Sequence, residues 1–156
     1  MEAYLDIETS YDFAITVIGI FRRDKGFRQL VGGRVTRTNL LECVRGVERL
    51  VTYNGSCFDL PVIRRRLALN LEERCQSIDL KYVCWKNKLY GGLKKVEKKL
   101  GIGRRFPDID GREAIRLWYR YKIRKDHQAL RLLLEYNRED VMNLIIVKKK
   151  LELMER

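Results

Sequence analysis

The side chains best suited to chemistry are carboxylates in three short motifs that are far apart along the chain. Asp6 and Glu8 stand two residues apart near the start, Asp59 lies in the first half, and Tyr136 precedes Asp140 by four residues near the end. Carboxylate oxygens are the ligands that Mg²⁺ and Mn²⁺ prefer. The three motifs therefore predict a divalent-metal site, provided that the fold brings them together.

Each motif also has an ordinary structural interpretation. Alternating acids such as Asp6 and Glu8 occur on many strands that face solvent. Asp59 is well placed to cap a helix N-terminus. Tyr136 and Asp140 share one helical face and border the apolar stripe of the last helix, so a solvated edge accounts for them equally well. A site is indicated only by the three motifs together.

Hydrophobic periodicity predicts strands in the first third of the chain and mostly helices afterwards. The pattern is that of an α/β protein with a mixed five-stranded sheet, in which an antiparallel three-strand meander is followed by parallel strands, flanked by helices. We expect one domain over residues 1–156, and Thr38 or Asn39 as the cap of the first helix. The predicted strands are 3–8, 13–21, 27–31, 50–53 and 77–80; the predicted helices are 40–47, one after Asp59, 93–100, 112–124 and about 126–154.

The charge balance indicates a polyanionic partner. Lys and Arg number 33 against 21 Asp and Glu, which gives a formal net charge of +12. Such an excess is typical of proteins that bind nucleic acid. No apolar run reaches the ~20 residues needed to cross a bilayer and no signal peptide is recognisable, so we expect a cytoplasmic protein without a membrane partner. The four cysteines form no CxxC pair and are expected to be reduced and buried, which leaves no zinc site.

The motifs resemble those of the DEDD 3′–5′ exonuclease superfamily, which has a ribonuclease-H-like fold. Asp6–Thr9, Tyr53–Pro61, Ile78–Leu80 and Tyr136–Val141 occur in the order that this superfamily shows. The tyrosine of the last motif resembles the Tyr-x3-Asp branch, and the whole chain is most similar to the YprB-like predicted exonuclease family. The resemblance implies a 3′–5′ exonuclease that hydrolyses DNA or RNA with two divalent cations, Mg²⁺ or Mn²⁺, and whose substrate is a single-stranded 3′ end.

The resemblance also implies a role for each motif residue. Asp6 would bridge both ions, Glu8 and Asp140 would complete the site that activates water, and Asp59 would serve the second ion. Tyr136 would orient the attacking water. The candidate substrate-binding residues are Thr9, Asn54, Phe58, Arg64 and Arg65.

Two alternatives stay open at this point. A ribonuclease H or resolvase-type endonuclease also gathers acids on such a sheet, although those enzymes usually place the second acid on a helix. A catalytically silent nucleic-acid-binding module of the same fold is the other alternative, and the presence of every expected carboxylate disfavours it. Neither the choice between DNA and RNA nor the oligomeric state follows from the sequence.

Overall fold

The computed structural model describes residues 1–156 and contains one five-stranded mixed sheet with strand order β3-β2-β1-β4-β5. β1, β2 and β3 form the expected antiparallel meander, and β4 and β5 add in parallel to β1. The predicted sheet architecture is therefore confirmed. The strands are β1 Glu2–Thr9, β2 Ile15–Arg22, β3 Gly26–Val31, β4 Arg49–Thr52 and β5 Gln76–Asp79; the helices are α1 Arg37–Val44, α2 Asp59–Leu67, α3 Leu80–Lys86, α4 Leu93–Lys99, α5 Gly111–Arg124 and α6 His127–Met154.

Side-chain alternation along β1 divides the hydrophobic core into two layers. Ala3, Leu5 and Ile7 belong to the cluster that α1 and α2 cover on one face of the sheet. Tyr4, on the opposite face, belongs to a second cluster with residues of α3, α4 and α6. Because successive strand residues point to opposite faces, Asp6 and Glu8 must also face the α6 side of the sheet.

The long helix α6 lies across the sheet and contacts both β1 and β2. Asp126 caps its N-terminus by accepting a hydrogen bond from the backbone N–H of Ala129 at 3.1 Å. Helix α5 packs against α6, and Leu117, Leu133 and neighbouring residues form a third apolar cluster between them. No helix of the protein is long and apolar enough to span a membrane.

Several local predictions were wrong. The first helix is capped by Thr36, whose hydroxyl accepts from the N–H of Asn39, rather than by Thr38 or Asn39. β2 begins at Ile15 because Phe13 adopts a left-handed backbone conformation with φ of 62°. Cys57 is exposed, whereas burial was expected.

Helix α3, which is missing from the prediction, begins directly after β5. The carboxylate of Asp79 caps it by accepting from the N–H of Lys81 at 3.0 Å. Its apolar stripe of Leu80, Val83 and Cys84 has helical spacing.

Candidate active site

The site is built on β1, the central strand of the sheet. Asp6 pairs with Gly19 and Glu8 with Val17 of β2, and the register of this ladder shifts between Glu8 and Thr9. A shift of this kind bends a strand and re-aims the side chains next to it. Glu8 is buried, with 8% of its surface exposed, and Asp6 is half-buried.

Asp140 of α6 completes a compact group of three carboxylates. One oxygen each from Asp6, Glu8 and Asp140 lies within 4.8 Å of the others. Oε1 of Glu8 is buried and has no hydrogen-bond partner in the protein. A buried carboxylate oxygen without a donor is costly unless a cation neutralises it. The three side chains therefore fit the ligand set of a divalent metal ion.

Asp59 lies beside this group but is held differently. It is the first residue of α2 and is buried, and its Oδ2 accepts a hydrogen bond from the N–H of Ile7 at 3.1 Å. Ile7 lies between Asp6 and Glu8, so this bond links the start of α2 to the strand that carries both acids. The capping interpretation of Asp59 was wrong, because Phe58 occupies the cap position and Asp59 serves β1 instead.

Asn137 positions the carboxylate of Asp6. Its Nδ2 donates to Oδ2 of Asp6 at 3.0 Å and to the backbone oxygen of Asp6 at 3.2 Å. Its Oδ1 accepts from Nε2 of Gln29 at 2.9 Å, which fixes the orientation of the amide. Asn137 approaches β2 at Gly19, where a Cβ atom would lie 2.2 Å from Oδ1 of Asn137. Gly19 therefore makes room for the amide that holds Asp6.

Tyr136 precedes Asn137 and lines the same cleft, with 6% of its surface exposed. Two cations face its ring: Nζ of Lys94 is 5.2 Å and the guanidinium carbon of Arg104 is 5.6 Å from the ring centroid. Burial, and then the negative charge of Asp140, raise the pKa of the phenol, so the hydroxyl keeps its proton. No hydrogen bond within the protein engages this hydroxyl, which leaves it available to a water molecule or substrate in the cleft.

Arg104, which was not predicted as a site residue, binds the carboxylate of Asp140. It donates from Nη2 to Oδ1 of Asp140, and its Nη1 donates to both carboxylate oxygens of Glu97 at 2.8 and 2.9 Å. Glu139 lies 3.3 Å from its Nε, and Asn143 donates to Glu97 at 3.1 Å. The arginine is thus committed to a buried network, whereas no hydrogen bond of the protein engages Oδ2 of Asp140, a residue that lines the cleft.

The acids of the site repel one another in a desolvated environment. Burial, followed by the charge of Asp140, raises the pKa values of Asp6 and Glu8 well above their ordinary range. Burial raises the pKa of Asp59 to about 7. It raises the pKa of Asp140 only to about 6, because Arg104 opposes the shift. A bound cation would stabilise the ionised forms of these four acids, so their raised pKa values are consistent with a cation site.

The carboxylates open into a cleft of about 570 Å³. The predicted substrate-binding residues Thr9, Asn54 and Phe58 line it, whereas Arg64 and Arg65 are exposed on α2 away from its walls. Binding of substrate by Arg64 and Arg65 stays a prediction that the cleft geometry does not favour.

The loop that carries Asn54 is fixed by Asp79. The carboxylate of Asp79 accepts from the backbone N–H groups of Asn54 at 2.7 Å and Ser56 at 3.2 Å. Asn54 itself adopts φ of 59°, a left-handed conformation that asparagine tolerates. Asp79 is the last residue of β5, and it supports this loop without lining the cleft.

A second part of the cleft wall was not predicted either. Phe13 and the start of α5, with Asp110, Gly111, Arg112 and Ile115, line the cleft together with the carboxylates. Asp110 caps α5 by accepting a hydrogen bond from the backbone N–H of Glu113 at 2.8 Å. No pattern in the sequence links this segment to Asp6. Asn137, in contrast, could have been identified from its position next to Tyr136 in the last motif.

Comparisons with known proteins agree with the architecture. The family model described as RNase_H superfamily matches residues 3–152. The structure of the family B DNA polymerase from the hyperthermophilic archaeon Pyrobaculum calidifontis is similar with a TM-score of 0.74 and 16% identity, over 96% of this chain and 24% of the polymerase chain. The chain therefore spans about a quarter of that polymerase. A search of curated proteins gives no match.

Proposed function

The chain belongs to the RNase_H superfamily, and on that premise we propose that it is a metal-dependent nuclease that removes nucleotides from the 3′ end of a single strand. The observation that carries the proposal is the set of three carboxylate oxygens from Asp6, Glu8 and Asp140 within 4.8 Å of one another. The basic surface of the protein, with a net charge of +12, supports a nucleic-acid substrate.

The charge of the cleft supports two cations rather than one. Asp6, Glu8, Asp59 and Asp140 contribute four carboxylates, and Arg104, the one arginine paired with Asp140, also pairs with Glu97 and Glu139. When bound, two Mg²⁺ or Mn²⁺ ions would generate a nucleophile from water and stabilise the departing oxygen. We propose that Asp6, Glu8 and Asp140 hold one ion and that Asp6 and Asp59 hold the other.

We propose that the remaining residues orient the metal ligands, the attacking water molecule and the terminal base. Asn137 fixes the rotamer of Asp6, and Arg104 fixes that of Asp140, so both ligands are in place before substrate arrives. The hydroxyl of Tyr136, which keeps its proton and lines the cleft, would hydrogen-bond a water molecule beside the scissile phosphate. Phe13 and Phe58, whose ring centroids are 6.2 Å apart, offer an apolar surface to the terminal base.

The polarity of the proposed reaction rests on the motifs. Two acids on the first strand and a tyrosine four residues before the last acid resemble the 3′–5′ exonucleases with Tyr-x3-Asp, and they differ from ribonuclease H enzymes in the position of the second acid. These features favour exonucleolytic over internal cleavage.

The test is a degradation assay with 5′- and 3′-labelled DNA and RNA, single- and double-stranded, in Mg²⁺, Mn²⁺ or EDTA. We expect a ladder of progressively shortened products from the 5′-labelled single strand and a labelled mononucleotide from the 3′-labelled strand. Asp6→Asn should lower the rate on the order of a thousandfold, as the loss of a metal ligand does. Glu72→Gln, a change at an exposed acid outside the cleft, is the matched control.

Three results would contradict the proposal in different ways. Internal products without terminal ones would indicate a ribonuclease H or resolvase-type endonuclease. Tight binding without cleavage in either metal would indicate a catalytically silent binding module. Full activity of the Asp6→Asn variant would show that the carboxylate group is not the active site.

A further inference from the structure

A second depression lies next to the carboxylate cleft, along α5. It has a volume of about 420 Å³, and we call it the α5 groove; it is lined by Tyr11, Arg116, Tyr119, Arg120, Ile123 and Arg124. None of its six lining residues is acidic. Such a composition of basic and aromatic side chains is typical of surfaces that bind single-stranded nucleic acid.

The α5 groove adjoins the cleft, because the same two segments contribute to the walls of both. Helix α5 lines the cleft with Arg112 and the groove with Arg116, one helical turn further on. The loop between β1 and β2 lines the cleft with Phe13 and the groove with Tyr11. A strand with its end among the carboxylates is therefore led toward the groove.

Arginines follow this path at regular spacing. Arg112, Arg116, Arg120 and Arg124 recur every four residues along α5, so all four lie along one side of the helix. At 1.5 Å per residue they extend over about 18 Å. This row can contact several consecutive phosphates of a strand.

The ion pairs of these arginines are weak enough to exchange for phosphates. Arg116 lies 3.5 Å from Glu113 with 66% of its side chain exposed, and Arg120 lies 2.7 Å from Asp126 with 50% exposed. Exposed pairs of this kind contribute little to stability, because solvent screens the charges. Arg124 is exposed and forms no ion pair.

The aromatic part of the groove is set up for stacking. The rings of Tyr11 and Tyr119 are parallel within 22° at a centroid distance of 5.0 Å. Tyr11 is nevertheless 63% exposed, and Ile123 is 75% exposed. Exposed apolar side chains that gather beside a row of arginines mark a binding surface. Bases in a duplex are already stacked on each other. Only an unpaired base therefore has a free face that can stack on a tyrosine ring.

We propose that the α5 groove binds the single-stranded nucleic acid that follows the terminal nucleotide, with bases stacking on Tyr11 and phosphates contacting Arg116, Arg120 and Arg124. The direction of the strand rests on the proposed function, since the end of the strand must reach the carboxylates. Binding in the groove itself does not depend on catalysis.

The experiment measures binding and cleavage separately. Fluorescence anisotropy in Ca²⁺ follows 5′-fluorescein-labelled dT12, rU12 and a DNA duplex of the same length. The variant Arg116→Gln/Arg120→Gln/Arg124→Gln should reduce the slope of log K against log salt for dT12 by about 2, because each lost contact to a single-strand phosphate removes about 0.7. Tyr11→Ser should weaken binding of the single strand by about tenfold through lost stacking.

The matched control is Arg23→Gln/Arg45→Gln/Arg74→Gln, which removes the same charge from exposed positions outside both depressions. We expect it to leave the salt slope unchanged. In Mg²⁺ or Mn²⁺ the groove variant should lose kcat/KM on dT12 while keeping it on the p-nitrophenyl ester of thymidine 5′-monophosphate, which fills only the cleft.

Equal salt slopes for the groove and control variants would overturn the proposal, and so would equally tight, groove-dependent binding of the duplex. If the wild-type protein binds dT12 through the groove but cleaves no substrate, the proposed nuclease function fails and the groove assignment stands. Comparison of dT12 with rU12 then assigns the strand as DNA or RNA.

Discussion

Nδ2 of Asn137 donates to the carboxylate of Asp6 at 3.0 Å and to the backbone oxygen of the same residue at 3.2 Å. Through this double contact, helix α6 fixes both the backbone of β1 and the side chain of Asp6. It also places the last motif of the chain directly on the first, since Asn137 lies between Tyr136 and Asp140. The relation explains why a buried amide occupies a helix position that an apolar residue would otherwise fill.

The first prediction concerns the space that Asn137 needs. Gly19→Ala places a Cβ atom against Oδ1 of Asn137 and should displace the amide from Asp6. We expect Gly19→Ala and Asn137→Ala each to lower metal affinity and activity by about 10- to 100-fold, as loss of a residue that orients a ligand does. Isothermal titration with Mn²⁺ measures the affinity. Unchanged Mn²⁺ affinity in both variants would show that Asn137 does not position Asp6.

The second prediction concerns Arg104. Arg104→Lys keeps the positive charge but cannot pair with both oxygens of Glu97 while it contacts Asp140. We expect a folded protein whose Mn²⁺ affinity is about 10-fold weaker, because Asp140 loses its fixed orientation. Circular dichroism confirms folding before titration. Lys81→Arg, a basic change outside the network, serves as the comparison, and equal affinity of the two variants would contradict this role.

The third prediction separates binding from catalysis at Tyr136. Tyr136→Phe keeps the ring that Lys94 and Arg104 face but removes the hydroxyl. We expect kcat to fall by about 10- to 100-fold, because a water molecule loses an orienting hydrogen bond. Mn²⁺ affinity and KM should stay close to those of the wild type. A large loss of metal affinity would instead identify the tyrosine as part of the ligand set.

The fourth prediction follows from the raised pKa values of Asp59, about 7, and Asp140, about 6. In the unfolded chain Asp ionises near pH 3.9, so between about pH 4 and pH 7 the folded metal-free protein binds more protons than the unfolded one. The contribution of these groups to the free energy of unfolding therefore falls as the pH rises.

We accordingly expect the Tm of the EDTA-treated protein to decrease from about pH 5 to about pH 8, and added Mn²⁺ to raise it most at the upper end. Differential scanning calorimetry measures both effects. A Tm of the metal-free protein that increases across this window would contradict the electrostatic account of the site.

The fifth prediction is that one substitution at Asp59 raises the stability of the metal-free protein and abolishes its activity. Asp59→Asn retains an oxygen that accepts from the N–H of Ile7 but removes a buried negative charge. We expect the metal-free variant to be more stable than the wild type at about pH 8, by roughly 1 kcal/mol or more, and its nuclease activity to be lost. Thermal unfolding in EDTA beside the degradation assay provides the test. A less stable metal-free variant would indicate that Asp59 is ionised at no cost.

The sequence by itself determined the sheet and the set of candidate acids. Period-two alternation placed Asp6 and Glu8 on one face of β1, and helical spacing placed Tyr136 and Asp140 on one face of α6. These relations are local, because a strand or a helix fixes the directions of side chains a few residues apart. The antiparallel meander and the parallel strands followed from the same periodicities.

Only the tertiary structure decided what surrounds those acids. The Arg104 network joins residues of a loop, α4 and α6, and the contact of Asp59 with Ile7 spans 52 positions of the chain. Such contacts depend on how helices pack across the sheet, and no periodicity in the sequence encodes them. The α5 groove has the same origin, because Tyr11 and Tyr119 meet only after α5 packs beside the loop that follows β1.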